Sequence, residues 1–324
     1  MSIHDYARAG DVASITQSLL HEEDATAAVV ASRGEFECTP LHLAAAHGHA
    51  NVVQLLIQHG AEVDARQDNG RTALHVAVFE EQTEVVELLL SSGADVEAVD
   101  ENMMTPLHLT THRLIIELLV QHGANVNARD SYEHTPLHEC TGPGMRESAE
   151  LFILHGAKVE ADDHFLHTAV LNGSVDVAEL FIQHGIDVDH LNHYKNTPLD
   201  FAVGYGFVNV AQLLIKHGAN VEAVNELGWT ALHLAAFEVG LQAVVELLIN
   251  VGANIEAREA EQRTPLHLAA ADGHVEVAKL LIQRGAEIHT CEKEAQTPLL
   301  MAATAYQGSD VVELLLCWTS SFLV

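Results

Sequence analysis

The residues in this sequence with most capacity for chemistry are its 23 histidines. Imidazole titrates nearest neutral pH of all side chains and is a common zinc ligand. Their positions argue against either use. Seven stand at one recurring place, His42, His75, His108, His138, His167, His233 and His267, and five at another, His59, His122, His155, His184 and His217. Residues that recur at one structural position lie a whole layer apart, whereas a shared zinc ion needs nitrogens about 2 Å from it. The densest remaining group is His190 and His193 with Asp187 and Asp189. It falls in a stretch that reads as an exposed loop, where polar residues need no chemical reason. No GxSxG, GxxxxGK, GxGxxG or HExxH pattern occurs, so an activated serine, a phosphate cradle, a dinucleotide site and a zinc hydrolase helix all lack their residues. The sequence therefore predicts no catalytic residue, no cofactor, no metal ligand and no enzyme.

The elements that hold these histidines are copies of one unit. The tetrapeptide TPLH or a close variant begins at Thr39, Thr72, Thr105, Thr135, Thr197, Thr230, Thr264 and Thr297, with a degenerate copy at His164. Successive starts are 33, 33, 30, 29, 33, 33, 34 and 33 residues apart, and a fixed period of this size signals a solenoid. Thr is suited to cap a helix, and the Pro after it sits where a missing N–H costs nothing. From Thr39 the first helix carries LHLAAA, small residues that allow close helix approach, and ends at Gly48-His49. A second helix follows with Val52, Val53, Leu55, Leu56 and Ile57, too many apolar residues for one exposed stripe. Gly60 closes it, and a loop ending in Asn69-Gly70 leads to Thr72. Helices this short are marginal alone, so the units must stack.

The TPLHLAA start, the Gly-His turn and the VVxLLLxxGA-like second helix resemble the ankyrin repeat family. The resemblance runs from residue 39 to about 317 and implies an all-α solenoid of helix-turn-helix units joined by hairpin loops. It divides the chain into residues 1–37 as a degenerate N-terminal capping repeat, residues 38–317 as nine repeats, and residues 318–324 as a short C-terminal tail. The family also implies that the TPLH histidines tie each loop to its neighbour, and that partner proteins bind along a concave face.

Three consecutive units depart from the pattern. The one from Thr105 lacks three residues between its helices, so these must be joined more abruptly. The one from Thr135 carries Gly142, Pro143 and Gly144 where its first helix should continue. The next lacks four loop residues and has His164-Phe165 for Thr-Pro. Two readings remain, a kink in the solenoid between about 105 and 166 or neutral drift in a tolerant array.

Binding specificity in such an array falls to side chains that vary between units, in the loop before each TPLH and at the end of the first helix. The candidate protein-binding residues there are Phe79, Tyr132, Tyr194, Tyr205, Trp229, Phe237 and Tyr306, since exposed aromatics anchor interfaces; Trp229 also fits a GWTALH variant that packs inward. Seven residues after the capping glycine stand Asp100, Asp130, Asp163, Glu259 and Glu292. This acidic ladder reads either as a surface for a basic partner segment or as turn chemistry, a carboxylate bonding its own backbone.

A formal charge of -31 repels phosphate backbones and excludes nucleic acid as a partner in the absence of a basic patch. No stretch has the roughly 20 apolar residues of a membrane span, and the four scattered cysteines suit a reducing compartment. The expectation is a monomeric protein-interaction scaffold of the cytoplasm or nucleus. The alternative is the recognition arm of a catalytic assembly, such as a ubiquitin-ligase receptor or pathogen effector, or a fragment of a larger ankyrin-repeat protein. The terminal LLLCWTSSFLV lacks a polar closing repeat, and Trp318 and Phe322 are candidates to shield the last helix; Phe322-Leu323-Val324 is also a candidate to extend a partner's sheet.

Overall fold

The computed structural model describes residues 2–20, 26–160, 164–306 and 308–321. The chain divides into two compact units, Met1–Thr141 with Met145–Lys158, and Gly142–Gly144 with Val159–Val324. Among the described residues every regular element is helical.

The first unit opens with α1 (Ile3–Ala9), α2 (Val12–Leu20) and α3 (Thr26–Val30). Two regular pairs follow, α4 (Pro40–Ala46) with α5 (Ala50–Gln58) and α6 (Ala73–Phe79) with α7 (Thr83–Ser91). First helices stack on first helices, α1 on α4 and α4 on α6, and second on second, α2 on α5 and α5 on α7. Residues 3–20 thus pack as one more layer. The reason is in the side chains. Ala44, Ala45 and Ala77 are fully buried, so helix axes can approach closely, while Val52, Val53 and Leu56 fill the space between second helices. Gly60, at φ 85, closes α5 in the left-handed conformation that glycine adopts without strain.

The two irregular repeats of this unit do not keep a first α-helix. From Thr105 the sequence suggests two helices abruptly joined; the structure has a 3-10 turn, Pro106–Leu109, then extended backbone at Thr110 and α8 (Arg113–Gln121). With three residues missing, one tight turn is all that fits before the chain must cross to the second row. From Thr135 the Gly-Pro-Gly run stops the element as expected, leaving a 3-10 segment, Pro136–Thr141, before α9 (Arg146–Leu154).

The second unit is regular. Its pairs are α10 (Phe165–Leu171) with α11 (Val175–Gln183), α12 (Pro198–Gly204) with α13 (Val208–Lys216), α14 (Ala231–Phe237) with α15 (Gln242–Asn250), α16 (Pro265–Ala271) with α17 (Val275–Gln283), and α18 (Pro298–Thr304) with α19 (Ser309–Ser321). The same two rows form, α10 to α18 and α11 to α19. At His164 the lost Thr-Pro does not cost the helix. Phe165 takes the proline's place and buries its ring 5.3 Å from that of Phe181, both inaccessible to solvent. At the other end α19 continues through Ser321, so residues 318–321 extend the last helix rather than forming a tail. Residues 322–324, including Phe322, lie outside the described residues.

Candidate binding surface

The TPLH motif works through a device the sequence reading found only in part. Thr39 is the N-cap of α4, and His42 stands three residues on, where a capping box usually has Glu or Gln. The backbone N–H of Thr39 donates to His42 Nδ1 at 3.3 Å, and Thr39 Oγ1 lies 2.8 Å from the same nitrogen. His42 Nε2 donates to the carbonyl of Arg71 in the next loop at 3.1 Å. Since a carbonyl only accepts, the ring is the neutral Nε2–H tautomer, with Nδ1 as acceptor. The same bridge runs from His75 to Met104, His108 to His134 and His233 to Arg263 at 3.1 to 3.2 Å. Burial enforces neutrality, pushing the pKa of His42 down to about 4 and lowering those of His75, His108, His233 and His267. These histidines are structural.

Asp200 replaces the histidine in the repeat from Thr197. Its Oδ2 accepts from Thr197 N at 2.8 Å and from Thr197 Oγ1 at 3.0 Å, so the cap survives. Burial nevertheless pushes its pKa up to about 6. An acid with a raised folded pKa binds its proton more tightly when folded, so it destabilises above that pKa and ceases to do so as pH falls toward the unfolded value near 4. Asp200→Asn keeps an acceptor for Thr197 and removes the charge. It should stabilise the second unit by roughly 1 to 3 kcal/mol at pH 7.5 and by little near pH 4. Thermal melts at both pH values check this, and an equal shift at both would refute the assignment.

His190 and His193 gather with other rings rather than with the neighbouring carboxylates. Asp189 Oδ1 accepts from Asn220 N, and Asp187 Oδ1 accepts from Asp189 N, each within ordinary loop bonding. The rings instead meet those of His164 and His167, at centroid distances of 5.6 to 5.9 Å. The sequence concealed this. His167 looks like one more repeat position and His164 like a worn threonine, and only the fold brings the following loop over both. As the side chains stand, no group of three or more His, Cys, Asp or Glu among the described residues could hold a metal ion.

The acidic ladder resolves toward turn chemistry. Asp100 Oδ1 accepts from the backbone N–H of Asn102 and Met104, Asp130 Oδ1 from Tyr132 and His134, and Glu292 Oε1 from Glu294 and Gln296. Asn192 and Asn225 do the same without a charge. Asp100 and Glu259 are almost wholly buried and paired with Arg71 and Arg263 at 3.3 and 3.0 Å. Carboxylates so employed are not free to recognise a basic segment. Asp163 lies outside the described residues.

Of the seven candidate aromatics, Phe79, Tyr132, Tyr194, Tyr205, Phe237 and Tyr306 are exposed. Trp229 is not. It is 9% exposed and packs edge-on against Phe237, ring centres 5.2 Å apart. A large ring at the base of a loop gains more from burial than from solvent, so the inward-packing reading of GWTALH holds. In the first unit Phe79 carries the Arg71 guanidinium 5.5 Å over its face. Together with Met104, His108, Thr110 and Glu139 these two line a notch of about 340 Å³, left where the shortened repeat forms no helix. Burial raises the pKa of Glu139.

In the second unit the exposed set is larger than aromatic counting suggested. Tyr194 and Leu227 occupy the same place in successive loops, each two residues after the asparagine that accepts its N–H, and both are exposed. Tyr205, stacked on Phe207 at 5.8 Å, and Phe237 mark the ends of successive first helices, with Val239 beside Phe237 exposed as well. Leu227 was legible only from loop register, which places an aliphatic residue where the preceding repeat has Tyr194; Val239 stands where that repeat has Gly206.

No helix of the described residues is long and apolar enough to cross a membrane. Profiles of known families match over most of the chain. One described as Ankyrin repeats (3 copies) matches residues 3–100, 166–259 and 243–322. One described as Ankyrin repeat matches residues 102–131. Ankyrin repeat and SOCS box protein 1 of Mus musculus is 42% identical over 66 residues, which cover 19% of this chain and 19% of that protein.

Proposed function

Because the chain belongs to the ankyrin repeat family, we propose that it is a scaffold or adaptor that binds partner proteins through loop tips and first-helix ends, without chemistry of its own. The observation that supports this best is the apolar set of the second unit, Tyr194, Leu227, Tyr205, Phe237 and Val239, exposed at the loop tips and around the first-helix ends of successive repeats. Apolar side chains held out by rigid turns cost little ordering on association and suit hot spots. The partner segment in this reading is basic. Its counterpart on this chain is the net charge of -31 with exposed loop carboxylates such as Glu101 and Glu226. A monomer in the cytoplasm or nucleus completes this reading.

The test is affinity capture with the intact chain, followed by titration of the recovered partner against alanine variants. Tyr194→Ala with Leu227→Ala should weaken binding by about ten- to a thousandfold, the cost of losing hot-spot side chains, and leave the melting temperature unchanged. Raising salt should weaken the complex further if the partner is basic. Unchanged affinity in the double variant would place the interface elsewhere. A second reading, the recognition arm of a larger assembly, draws on the 66-residue likeness to a protein whose name joins ankyrin repeats to a SOCS box.

A further inference from the structure

Among the described residues, the histidine cluster of the second unit is a group of reactive side chains that neither folding nor partner binding accounts for. Its centre is His167. Like its counterparts in other repeats, His167 uses Nε2 to reach the next loop, donating to the carbonyl of Asn196 at 3.3 Å. That bond fixes the tautomer and turns Nδ1 toward the residue three positions earlier. Elsewhere that residue is the threonine whose N–H and hydroxyl satisfy Nδ1, as with Thr72 and His75 at 3.2 and 2.9 Å. Here it is His164, which enters α10 in the left-handed conformation, φ 54, and makes no cap bond. His167 Nδ1 is left as a buried nitrogen without a hydrogen-bond partner, on a side chain only 4% exposed.

Three more imidazoles surround that lone pair. His164 lies 5.6 Å from His167, 5.7 Å from His190 and 5.6 Å from His193, and His190 lies 5.9 Å from His167, ring centre to ring centre. A zinc-bound imidazole nitrogen sits about 2.0 to 2.1 Å from the ion, which places the ring centres of two ligands about 5 to 6 Å apart. A ligating histidine also characteristically donates its other N–H to a carbonyl or carboxylate, as His167 already does to Asn196. The rings as they stand do not aim three nitrogens at one point. His190 and His193 are on a loop, half-buried and exposed respectively, and rotation about their side-chain bonds suffices to redirect them.

We propose that His164, His167, His190 and His193 form a binding site for a divalent transition-metal ion of the zinc class, with His167 Nδ1 as its preoriented donor. An all-imidazole set selects zinc, copper or nickel over calcium or magnesium, which require oxygen. The ion pins the loop at 190–193 to the start of α10, replacing the threonine cap that this repeat lacks.

The test uses the intact chain titrated with zinc by calorimetry and with cobalt by visible absorption. One ion per chain with an intense tetrahedral cobalt spectrum is expected, together with a rise in melting temperature. His190→Ala with His193→Ala, both on the loop, should weaken binding at least tenfold while leaving the metal-free melt unchanged. His164→Thr should abolish binding and raise the metal-free melting temperature, because it returns a partner to His167 Nδ1. His184→Ala with His217→Ala, which removes two repeat-position histidines, should change neither. Weak multiple binding that responds equally to both double variants would show only adventitious coordination by a histidine-rich chain and overturn the proposal, as would no binding at all.

Discussion

Acidification through pH 6.5 to 4 is expected to destabilise both units. The bridging histidines are neutral in the fold because burial penalises the charged ring, so folding lowers their proton affinity. The unfolded chain binds more protons than the folded one below pH 6.5, and the stability present above that value is lost as pH falls toward the folded pKa. For His42, lowered from 6.5 to about 4, the full loss is roughly 3 kcal/mol. His75 and His108 add to it in the same direction, and a domain is typically stable by only about 5 to 15 kcal/mol. In the second unit His167, lowered to about 4, His233 and His267 behave alike, and each unit holds an acid with a raised pKa that opposes them, Glu139 in the first and Asp200 in the second, where folding takes up a proton between about pH 6 and 4. Amide exchange followed from pH 7.5 to 4.5 should show protection falling around α4 and α6 and around α14 and α16. Protection that is flat across that range would contradict this assignment of charge states.

Trp229→Ala should cost about 3 to 5 kcal/mol, the range for truncating a large buried aromatic, and Tyr194→Ala should cost almost nothing. Both residues belong to the loop before a TPLH motif, and the sequence alone gave them the same candidate role. Their surroundings separate them. The Trp229 ring is buried against Phe237, so its removal leaves a cavity that also loosens the end of α14. Tyr194 stands at the tip, its N–H taken by Asn192 and its ring in solvent. Urea melts of the two variants test this. A Trp229→Ala midpoint equal to that of the parent would show that the ring contributes nothing to packing, and its place among binding residues would have to be reconsidered.

Most of the architecture was legible because one physical constraint repeats. Short helices that cannot bury their own apolar faces, each preceded by Thr-Pro and followed by Gly, admit few arrangements besides stacking. What was not legible depends on neighbours a full repeat away. The capping role of His42 could be guessed from Thr39, three residues before it, but its second bond, to Arg71, required the loop's path. Asp100 and Asp130 admit two readings in the sequence, a recognition stripe or turn chemistry, and only the fold shows their oxygens taken by nearby N–H groups. His164 illustrates the limit most plainly. Read locally it is a defect in a motif, whereas in the fold it is the ring about which three other imidazoles collect.

The histidine bridges carry a consequence for how strain spreads. Each joins the start of one helix to the loop that launches the next, so fraying in one layer releases an acceptor in its neighbour and weakens it in turn. Asp200, once ionised, has no proton to offer, and Trp229 O at the corresponding place keeps its bond from Asn225 N. A pull on the second unit from its two ends should therefore part the row first at a seam without that polar stitch, between α12 and α14 or between α16 and α18, where His267 Nε2 has no hydrogen-bond partner.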